Sequence, residues 1–333
     1  MSVPVSIVIP VHNQRALLER LLHSIEQQTA PPLEIIVVDN DSSDGAAESA
    51  HRAGASVIPM RRNAGFAAAV NRGIREAKGD SVAVINSDVV LDCGWLDILW
   101  SGVRETGSDF ATGKILQEGS PEILDGSYDL ICRGACPWRA GAGRPASSLP
   151  DCVESIRLCS ATAAIYRSDL FTRIGLFEES FESYLEDVDF GLRCASAGCK
   201  GSYVPRAISW HRGSATFGRW HPEVVRRIAR NQLLLVARNY PGQLIRRWLW
   251  PIIVAQLLWG MLALRHGRGL AWLSGKIEGL RRFAGARRES RQSLQLGEII
   301  AESELRIAHL QSASGFDLYW KVYFGLTRTD KAG

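Results

Sequence analysis

The sequence predicts an α/β protein, a doubly wound and mostly parallel sheet followed by a C-terminal helical extension. The first observation is that short β-branched apolar runs alternate with stretches of helical periodicity in the N-terminal half. The second is that polar clusters follow three of these runs. The third is that the chain becomes rich in arginine and tryptophan after residue 211. Strand–helix–strand order at these spacings implies right-handed crossovers and a parallel sheet.

Local signals predict each early element. The run Val5–Ile9 is apolar and β-branched and is closed by Pro10, which indicates a buried strand. Leucines at helical spacing follow Asn13, the predicted N-cap of the first helix, and residues 65–77 predict a later helix. The predicted strands are residues 5–9, 34–38, 56–59 and 81–85.

The region beyond residue 118 is predicted in less detail. Residues 119–151 are rich in Gly, Pro, Ser and Arg and lack periodicity, which favours a long loop over the carboxyl edge of the sheet. The later predicted elements are a strand over 161–166, a helix over 186–197 that stops at Gly198, and a short strand over 203–204. Trp210 and His211 are expected just beyond that strand.

Composition limits the class of protein. With 333 residues, 46% hydrophobic and 22% charged, the chain is neither disordered nor collagen-like nor a multi-span membrane protein. Its net charge of +4 gives no reason to expect a nucleic-acid partner. Residues 1–211 carry 19 Lys/Arg and 27 Asp/Glu, net −8, whereas residues 212–291 carry 16 Lys/Arg and 3 Asp/Glu, net +13. An acidic body and a basic C-terminal part suggest two roles, and we place the domain boundary between 1–216 and 217–333.

The basic part contains a long apolar run. Residues 221–240 predict an Arg-rich amphipathic helix, and residues 248–264 are apolar except for Gln256 and Gly260. Three interpretations are open for this 17-residue run: a single membrane span, a core helix, or a helix that lies in the membrane surface. Basic flanks and several tryptophans favour the third. No signal peptide precedes the first strand, so we expect a peripheral protein on the cytoplasmic face of the plasma membrane.

Several strand ends carry side chains suited to chemistry. Asn86-Ser87-Asp88 follows the fourth strand and offers oxygen ligands for Mg²⁺ or Mn²⁺, although such triplets also occur in simple turns. Asp39 ends the second strand and can accept a hydrogen bond from a base. Glu186-Asp187-Val188-Asp189 opens a helix, where a general base or simple dipole compensation would both explain the carboxylates. His211 is a possible metal ligand.

In this order, the motifs resemble those of the family 2 glycosyltransferases with the GT-A fold. The segments that carry the resemblance are VSIVIPVHN, EIIVVDNDSSDG, RNAGFAAAVNRGI, VINSDVVL, YLEDVDFGLRCASAG and HRGSAT. The resemblance covers roughly residues 4–216. Within the family, the chain looks most like the rhamnosyltransferase-like branch, whose members often carry N-x-D in place of D-x-D.

The resemblance implies roles for individual residues. Asp187 would be the catalytic base, Asp88 and His211 would bind a divalent metal, and Asn86 replaces the usual first carboxylate of the metal motif. The residues implied in binding the nucleotide sugar are Pro10, Val11, His12, Asp39, Asn63, Gly65, Asn71, Asn86 and Glu186. His12-Asn13 departs from the more usual Tyr-Asn pair.

The implied function is an inverting transfer of a sugar, with thymidine-linked rhamnose as one candidate donor. The acceptor would be a hydroxyl group of a lipid-linked or polysaccharide molecule in cell-surface glycan synthesis, and the partners would be that acceptor and an anionic membrane surface. Two alternatives stay open from the sequence: a nucleotidyltransferase that makes a nucleotide sugar, and an inactive membrane-docked scaffold.

Overall fold

The computed structural model describes residues 2–213, 218, 220–289, 293 and 295–327. The chain forms two compact units. The sheet unit comprises Met1–Tyr128 and Gly141–Thr216, and the helical unit comprises Asp129–Ala140 and Phe217–Gly333. The domain boundary that we place at residue 216 lies outside the described residues.

The sheet unit contains a ten-stranded mixed sheet, in the order β10-β12-β6-β11-β4-β1-β2-β3, with β5 and β7 paired at its margin. Six strands run in one direction, and β5, β7, β10 and β11 run against them. The strands of this sheet are Val5–Val11 (β1), Glu34–Asp39 (β2), Ser56–Pro59 (β3), Ser81–Ile85 (β4), Val89–Leu91 (β5), Phe110–Gln117 (β6), Ser120–Leu124 (β7), Glu154–Ile156 (β10), Ala163–Arg167 (β11) and Gly201–His211 (β12). Two further strands, Asp129–Ile131 (β8) and Pro137–Arg139 (β9), belong to the helical unit.

Helices cover both faces of this sheet, as expected of a doubly wound fold. The core on one face joins β1 and β4 to residues of α1, α2 and α4, including the fully buried Leu18 and Trp95. On the other face, Gly73 of α3 packs against Val8 of β1. The helices of the sheet unit are Arg15–Glu26 (α1), Ala46–Arg52 (α2), Phe66–Glu76 (α3), Trp95–Thr106 (α4), Ser168–Ile174 (α5) and Glu186–Ser196 (α6), with 3₁₀ turns at Ala146–Ser148 and Glu179–Phe181.

The α/β class and the mostly parallel sheet are confirmed, and two local expectations need correction. The strand predicted at 203–204 is the eleven-residue β12, so His211 is its last residue rather than a position beyond it. Residues 119–151 are not a structureless loop, because they contain β7, β8 and β9. The strand predicted over 161–166 is β11, and it runs antiparallel to its neighbours β4 and β6, a direction that the sequence does not predict.

Among the described residues, the helical unit consists of six helices and the β8–β9 hairpin. Its helices are Pro222–Asn239 (α7), Gly242–Arg247 (α8), Leu249–Arg265 (α9), Gly269–Arg288 (α10), Leu296–Ser314 (α11) and Leu318–Thr327 (α12). None of the described helices is both long and apolar enough to cross a membrane. The apolar run is α9, with one side buried and the other exposed.

The β8–β9 hairpin is central to the helical unit although it comes from the middle of the sheet-unit sequence. The hydroxyl oxygen of Ser303 in α11 accepts a hydrogen bond from the backbone N–H of Ile131 in β8 at 2.7 Å. Glu304 accepts from Arg133 N at 2.7 Å, from Arg133 Nε at 2.8 Å and from Tyr323 Oη at 2.9 Å. Gln256 of α9 donates to Gly134 O at 2.8 Å. These bonds fix the hairpin to α11 and α9, and Tyr323 of α12 supports Glu304 from behind.

A buried lysine lies close to the same hairpin. Lys276 of α10 donates to Ala229 O and Gln232 Oε1, both at 2.9 Å, and to Gln256 Oε1. Burial lowers the pKa of this amine to about 7. The three acceptors provide a partner for each ammonium proton, so the side chain is satisfied inside the unit.

We predict that Glu304→Ala destabilises the helical unit strongly. The Glu304 side chain is only 2% exposed and is paired with Arg133, which is 14% exposed, so its loss leaves a largely buried guanidinium without its carboxylate. Removing one partner of such a pair costs roughly 3–5 kcal/mol of the free energy of unfolding. Denaturant unfolding measures the change. Glu298→Ala, at an exposed position of the same helix, is the control; equal stability of both variants would contradict the role of Glu304.

Candidate active site

The carboxyl ends of β1, β2 and β4 form one rim of the sheet unit. Val11 pairs in register with Asp39, and Pro10 pairs with Val38, so the first two polar clusters lie side by side. In parallel sheets, ligands bind at this rim. Of the predicted site residues, Pro10, Val11, His12 and Asp39 all belong to this pair of strand ends.

The loops after β1 and β2 are joined by hydrogen bonds. His12 Nδ1 donates to Asn40 O at 3.0 Å. Asn13, at a positive φ of 52°, donates from its backbone N to Ser42 Oγ at 3.0 Å and accepts from Ser43 N at 2.8 Å. His12, the residue that departs from the usual Tyr-Asn pair, therefore joins Asn13 in holding this loop beside Asp39.

Asp39 is buried at the edge of a surface depression. One carboxylate oxygen, Oδ1, accepts from Ser42 N at 3.1 Å. The depression has a volume of about 470 Å³, and its lining includes Asp39 with Arg15, Ser43 and Arg52. The second oxygen of Asp39 makes no hydrogen bond among the described residues, so it is available to a ligand.

Asn40 organises the neighbouring loop, a role that the sequence does not reveal. Its Nδ2 donates to Asn63 Oδ1 at 3.1 Å and to Gly65 O at 3.2 Å, and its Oδ1 accepts from Ala64 N at 2.9 Å. The sequence places Asn40 in a polar cluster that would equally cap a helix. Only the fold shows that this amide fixes Asn63 and Gly65.

Gly65 is required by a close backbone approach. Its φ is +90°, and a Cβ atom there would lie 2.6 Å from the carbonyl oxygen of Glu182. Ala67 N donates to that same oxygen at 3.0 Å, and Phe66 N donates to Ser183 Oγ at 3.2 Å. The first two N–H groups of α3 are thus engaged with the backbone of Glu182 and the side chain of Ser183.

Asn71 also holds this segment. Its Nδ2 donates to Phe177 O at 2.8 Å and to Glu179 Oε1 at 3.0 Å, and its Oδ1 accepts from Phe177 N at 3.0 Å. The side chain is 1% exposed. In this structure Asn71 ties α3 to the segment that leads into α6, and its role in binding the nucleotide sugar stays a prediction.

The segment before α6 has an unusual backbone. Glu182, Tyr184 and Leu185 all have positive φ, at 61°, 72° and 70°. Such conformations cost free energy in non-glycine residues and are concentrated at functional sites. Below α6, Tyr166 and Phe190 pack with ring centroids 5.8 Å apart, which anchors the helix on β11.

The three carboxylates of α6 have different surroundings. Asp187 is partly exposed and accepts from Val188 N at 2.9 Å and from Ala161 N at 3.3 Å. Asp189 is buried and forms an ion pair with Arg193 Nε at 2.9 Å, and Arg193 in turn donates to two backbone carbonyls. Glu186 is buried at 5% exposure. Of the three, Asp187 is the one that solvent and a substrate can reach most easily.

The short segment Ala161–Thr162 connects Asp187 to Asn86. Thr162 O accepts from Asn86 N at 2.9 Å, while Ala161 N donates to Asp187. The side-chain oxygen of Asn86 is buried and has no hydrogen-bond partner among the described residues. A buried unpartnered oxygen at a strand end is a site that a ligand or cation would satisfy.

Asp88 and His211 are brought together by pairing of β5 with β12. His211 pairs with Val89, and its Nε2 lies 3.1 Å from Asp88 Oδ1. On its other side, Nδ1 donates to Asp125 Oδ2 at 2.8 Å. Burial opposes protonation of His211, but the hydrogen bonds and charges of Asp125 and Asp88 outweigh it and raise its pKa to about 9.

The donor set fits a divalent cation that is held partly by its substrate. Asp88 and His211 supply a carboxylate and an imidazole, and Asn86 supplies an unpartnered amide oxygen. No three His, Cys, Asp or Glu side chains converge on one point within the described part of the chain. Mg²⁺ and Mn²⁺ commonly bind through few protein ligands and take substrate phosphates for the rest, so this set is sufficient for them.

Comparison with known proteins identifies the family. The model of "Glycosyl transferase family 2" matches residues 6–171. This chain belongs to glycosyltransferase family 2. It is 27% identical over 272 residues to N-acetylglucosaminyl-diphospho-decaprenol L-rhamnosyltransferase of Mycobacterium tuberculosis, covering 74% of this chain and 87% of the relative. It is 31% identical over 227 residues to pre-mycofactocin glycosyltransferase of the same species, covering 65% of this chain and 44% of the relative.

Solved structures show the same fold. GalNAc-T7, solved with UDP, GalNAc and Mn²⁺, superposes with a TM-score of 0.62 at 15% identity, covering 94% of this chain and 58% of that chain. A mannosyltransferase of Pyrobaculum calidifontis, solved with GDP-Man and Mn²⁺, gives a TM-score of 0.50 at 16% identity, covering 100% and 89%. The GT-A fold and glycosyltransferase activity are confirmed, so the nucleotidyltransferase and scaffold alternatives are not supported.

The family match does not extend over the whole candidate site. It ends at residue 171, before Asp187 and His211. Ser214–Thr216, the end of the HRGSAT motif, lie outside the described residues. The roles of individual residues therefore stay predictions, and Asp125, which the sequence does not single out, enters the site only through its contact with His211.

We predict that Asp125→Asn lowers the pKa of His211 toward its usual value near 6.5. The variant removes one of the two carboxylates that favour the imidazolium form. Long-range ¹H–¹⁵N spectra of the metal-free protein, recorded against pH, measure the change. Asp41→Asn, on an exposed loop, is the control. An unchanged His211 titration in Asp125→Asn would show that the contact is not maintained.

The raised pKa of His211 also predicts how the free energy of unfolding depends on pH. Because the folded-state pKa of about 9 lies above that of the unfolded chain, the protonated His211 stabilises the sheet unit fully below about pH 6.5. That contribution is lost as the pH rises through about 9. The dependence should weaken in Asp125→Asn.

Proposed function

We propose that this glycosyltransferase carries out an inverting transfer from a nucleoside diphosphate sugar to a hydroxyl group of a lipid-linked or polysaccharide acceptor. The observation that carries the proposal is the Ala161–Thr162 segment, which hydrogen-bonds Asp187 at one residue and Asn86 at the next. The segment thereby holds Asp187, the candidate general base, near Asn86, a candidate ligand on the diphosphate side of the donor. Both lie at the rim where ligands of such sheets bind.

In the proposed reaction, Asp187 takes the proton of the acceptor hydroxyl as its oxygen attacks the anomeric carbon. The new carbon–oxygen bond forms while the bond from that carbon to the diphosphate oxygen breaks, and the electron pair leaves with the nucleoside diphosphate. A single displacement inverts the anomeric configuration. The backbone N–H groups of Val188 and Ala161 orient the carboxylate for this task.

We predict that Asp187→Asn loses sugar transfer but retains donor binding. The amide keeps the shape of the side chain and cannot accept the proton, and loss of a general base typically lowers the rate roughly 10²–10⁴-fold. Turnover and donor affinity are measured on the same preparation. Asp97→Asn, in the first turn of α4, is the matched control for a helix-opening carboxylate. Near-normal turnover of Asp187→Asn would reject Asp187 as the base.

We also propose a divalent cation, Mg²⁺ or Mn²⁺, held by Asp88, His211 and Asn86. When bound, such an ion neutralises charge on the diphosphate leaving group. Asp88 and His211 are already in contact, so binding requires His211 to give up its proton. Asp125 then keeps a proton on Nδ1 and leaves the Nε2 lone pair directed toward Asp88.

We predict that Asp88→Asn weakens Mn²⁺ binding at least about tenfold, because the variant removes the charged ligand. Calorimetric titration of Mn²⁺ into the protein, with and without nucleoside diphosphate, measures this directly and does not depend on turnover. Asp41→Asn is again the control. If the wild type binds nucleoside diphosphate equally well with chelator and with Mn²⁺, the metal proposal fails.

The surroundings of Asp39 suggest which nucleobase the donor carries. With Oδ1 bonded to Ser42 N, its other carboxylate oxygen can accept from the N3–H group of uracil or thymine. Cytosine has no hydrogen at N3 and offers an acceptor there instead. We therefore propose a uridine or thymidine diphosphate donor, with thymidine-linked rhamnose favoured by the likeness to the mycobacterial rhamnosyltransferase.

We predict that Asp39→Asn weakens the affinity for uridine and thymidine diphosphates roughly tenfold or more, since a hydrogen bond to a charged acceptor is lost. The amide can donate to cytosine N3, so the preference over cytidine diphosphate should shrink in the same variant. Competitive binding of the four nucleotides measures both effects. A wild type that binds cytidine or guanosine diphosphate best would contradict this assignment.

The acceptor is proposed from the same likeness. The relative's name describes a diphosphate-linked polyprenol that carries N-acetylglucosamine. We propose an acceptor of that chemical class in cell-surface glycan synthesis, and an enzyme that is bound peripherally to the cytoplasmic face of the plasma membrane, with an anionic membrane surface as partner. The net charge of +13 over residues 212–291 supports such a partner.

A further inference from the structure

Helices α9 and α10 form a hairpin with an apolar outer face. Ten large apolar side chains of these two helices are exposed, the most exposed being Leu270 at 85%. They recur every three or four residues, so each helix presents a continuous stripe. The members of this face, which we call the hairpin face, are Leu249, Trp250, Ile253, Leu257, Met261, Leu264, Leu270, Leu273, Ile277 and Leu280.

The inner side of α10 is less apolar than its outer side. The buried residues of α10 are Gly275, Lys276 and Gly279, and none of its large apolar side chains is buried. A Cβ atom at Gly275 would lie 2.2 Å from Arg226 O of α7, so the two helices pack backbone to backbone on that side. The inner side of α9 is mixed, with Ile252 buried as well as Gln256. A helix of a water-soluble protein normally buries its large apolar residues, and in α10 that arrangement is reversed.

Exposed arginines flank and interrupt the segments of the hairpin face along the chain. The exposed arginines that form no ion pair within the described residues are Arg246, Arg247, Arg265, Arg281 and Arg288. Residues 242–289 contain nine Lys/Arg and two Asp/Glu. Both acidic residues are already paired, Glu278 with Arg226, Arg230 and Arg282, and Glu289 with Arg238. The rim of the face is therefore positively charged and has no acidic counterpart of its own.

The charge distinguishes between two possible occupants. A second copy of this chain, placed face to face, would bring two sets of unpaired arginines together, and like charges disfavour that contact. An anionic bilayer offers apolar chains for the hairpin face and phosphate groups for the arginines. The surface depression of about 540 Å³ between α9 and α10 has the same combination, because Leu264, Leu270 and Leu273 line it together with Arg268.

We propose that the α9–α10 hairpin docks flat on an anionic phospholipid surface, with the hairpin face in the acyl boundary and the arginines at the phosphate level. This inference rests on the proposed function in one respect, which is that docking would keep the enzyme where a lipid-linked acceptor is found. The depth of insertion of such helices is roughly 5–10 Å. One side of each helix stays packed inside the helical unit.

The test is flotation of the full chain with lipid vesicles. We expect binding to vesicles with about 30% phosphatidylglycerol, weaker binding to pure phosphatidylcholine, and partial release as salt rises from about 0.1 M to 1 M. Brominated lipids should quench Trp250, measured as the difference between the wild type and Trp250→Phe. Equal recovery with anionic and neutral vesicles, or no recovery with either, would overturn the proposal.

Two double variants separate the apolar and the charged contributions. Leu257→Glu with Met261→Glu places charges in the hairpin face and should abolish flotation at any salt concentration. Arg246→Glu with Arg247→Glu should lower the partition coefficient more than tenfold at low salt, since each arginine near an anionic surface contributes roughly fivefold. Leu305→Glu, at an exposed apolar position of α11, is the matched control and should bind as the wild type does.

Folding and self-association are checked on the same samples. All substituted side chains are exposed, so thermal unfolding should match the wild type. Sedimentation velocity without lipid should show the same molecular mass for all variants. A wild-type dimer that Leu257→Glu with Met261→Glu converts to monomers would assign the face to a second copy and overturn the lipid proposal.

The outcome for docking is distinct from the outcome for the proposed function. Vesicle binding without transfer of any tested sugar would support docking and count against the proposed function. Transfer to a water-soluble acceptor analogue without vesicle binding would support the function and overturn the docking. The Leu257→Glu and Met261→Glu variant should retain transfer to such an analogue, because neither residue belongs to the candidate active site.

Discussion

Antiparallel pairing of β11 with β4 is the interaction on which the geometry of the candidate active site depends. It places Ala163 opposite Ile85, so the two residues before β11 lie beside the polar triplet that follows β4. From that position, Thr162 receives the backbone N–H of Asn86 and Ala161 donates to Asp187. Asn86 and Asp187, 101 positions apart in the chain, are thereby connected through two neighbouring backbone groups, one of which binds the Asp187 carboxylate directly.

A second constraint acts on the segment that leads to Asp187. Gly65 and the first N–H groups of α3 hold the 182–183 backbone, and Asn71 holds Phe177. Residues with positive φ follow at once, and α6 begins at Glu186. These contacts position the backbone at the start of α6, and a positioned base favours catalysis because it needs little reorganisation. Residues predicted to bind substrate thus also position the predicted base.

The sequence predicts the elements whose signals are local. The β-branched runs of β1, β2 and β4 and the polar clusters after them are visible without a structure, because burial on both faces of a parallel sheet requires apolar runs. The length of β12 is not visible, since Pro205 and Arg206 interrupt its apolar pattern. The direction of β11 is decided by partners far away in the chain, and no local pattern records it.

The residues of the candidate active site divide in the same way, into those that the sequence reveals and those that only the fold reveals. Asp39, Asp88, Asp187 and His211 stand out because carboxylates and imidazole at element ends are uncommon enough to notice. Asp125 and Asn40 do not, since each acts through a partner that only the fold brings near. The β8–β9 hairpin is the clearest case: its sequence lies within the sheet-unit region, yet Arg133 and Gly134 bond to helices of the other unit.

The most direct test of the account is transfer by the purified chain with Mn²⁺, a panel of uridine, thymidine, guanosine and cytidine diphosphate sugars, and a short-chain polyprenyl diphosphate carrying N-acetylglucosamine. Release of nucleoside diphosphate and the anomeric configuration of the product are measured together. The account predicts acceptor-dependent release from a uridine or thymidine donor and an inverted linkage. A retained configuration, or transfer only from guanosine or cytidine donors, would contradict it.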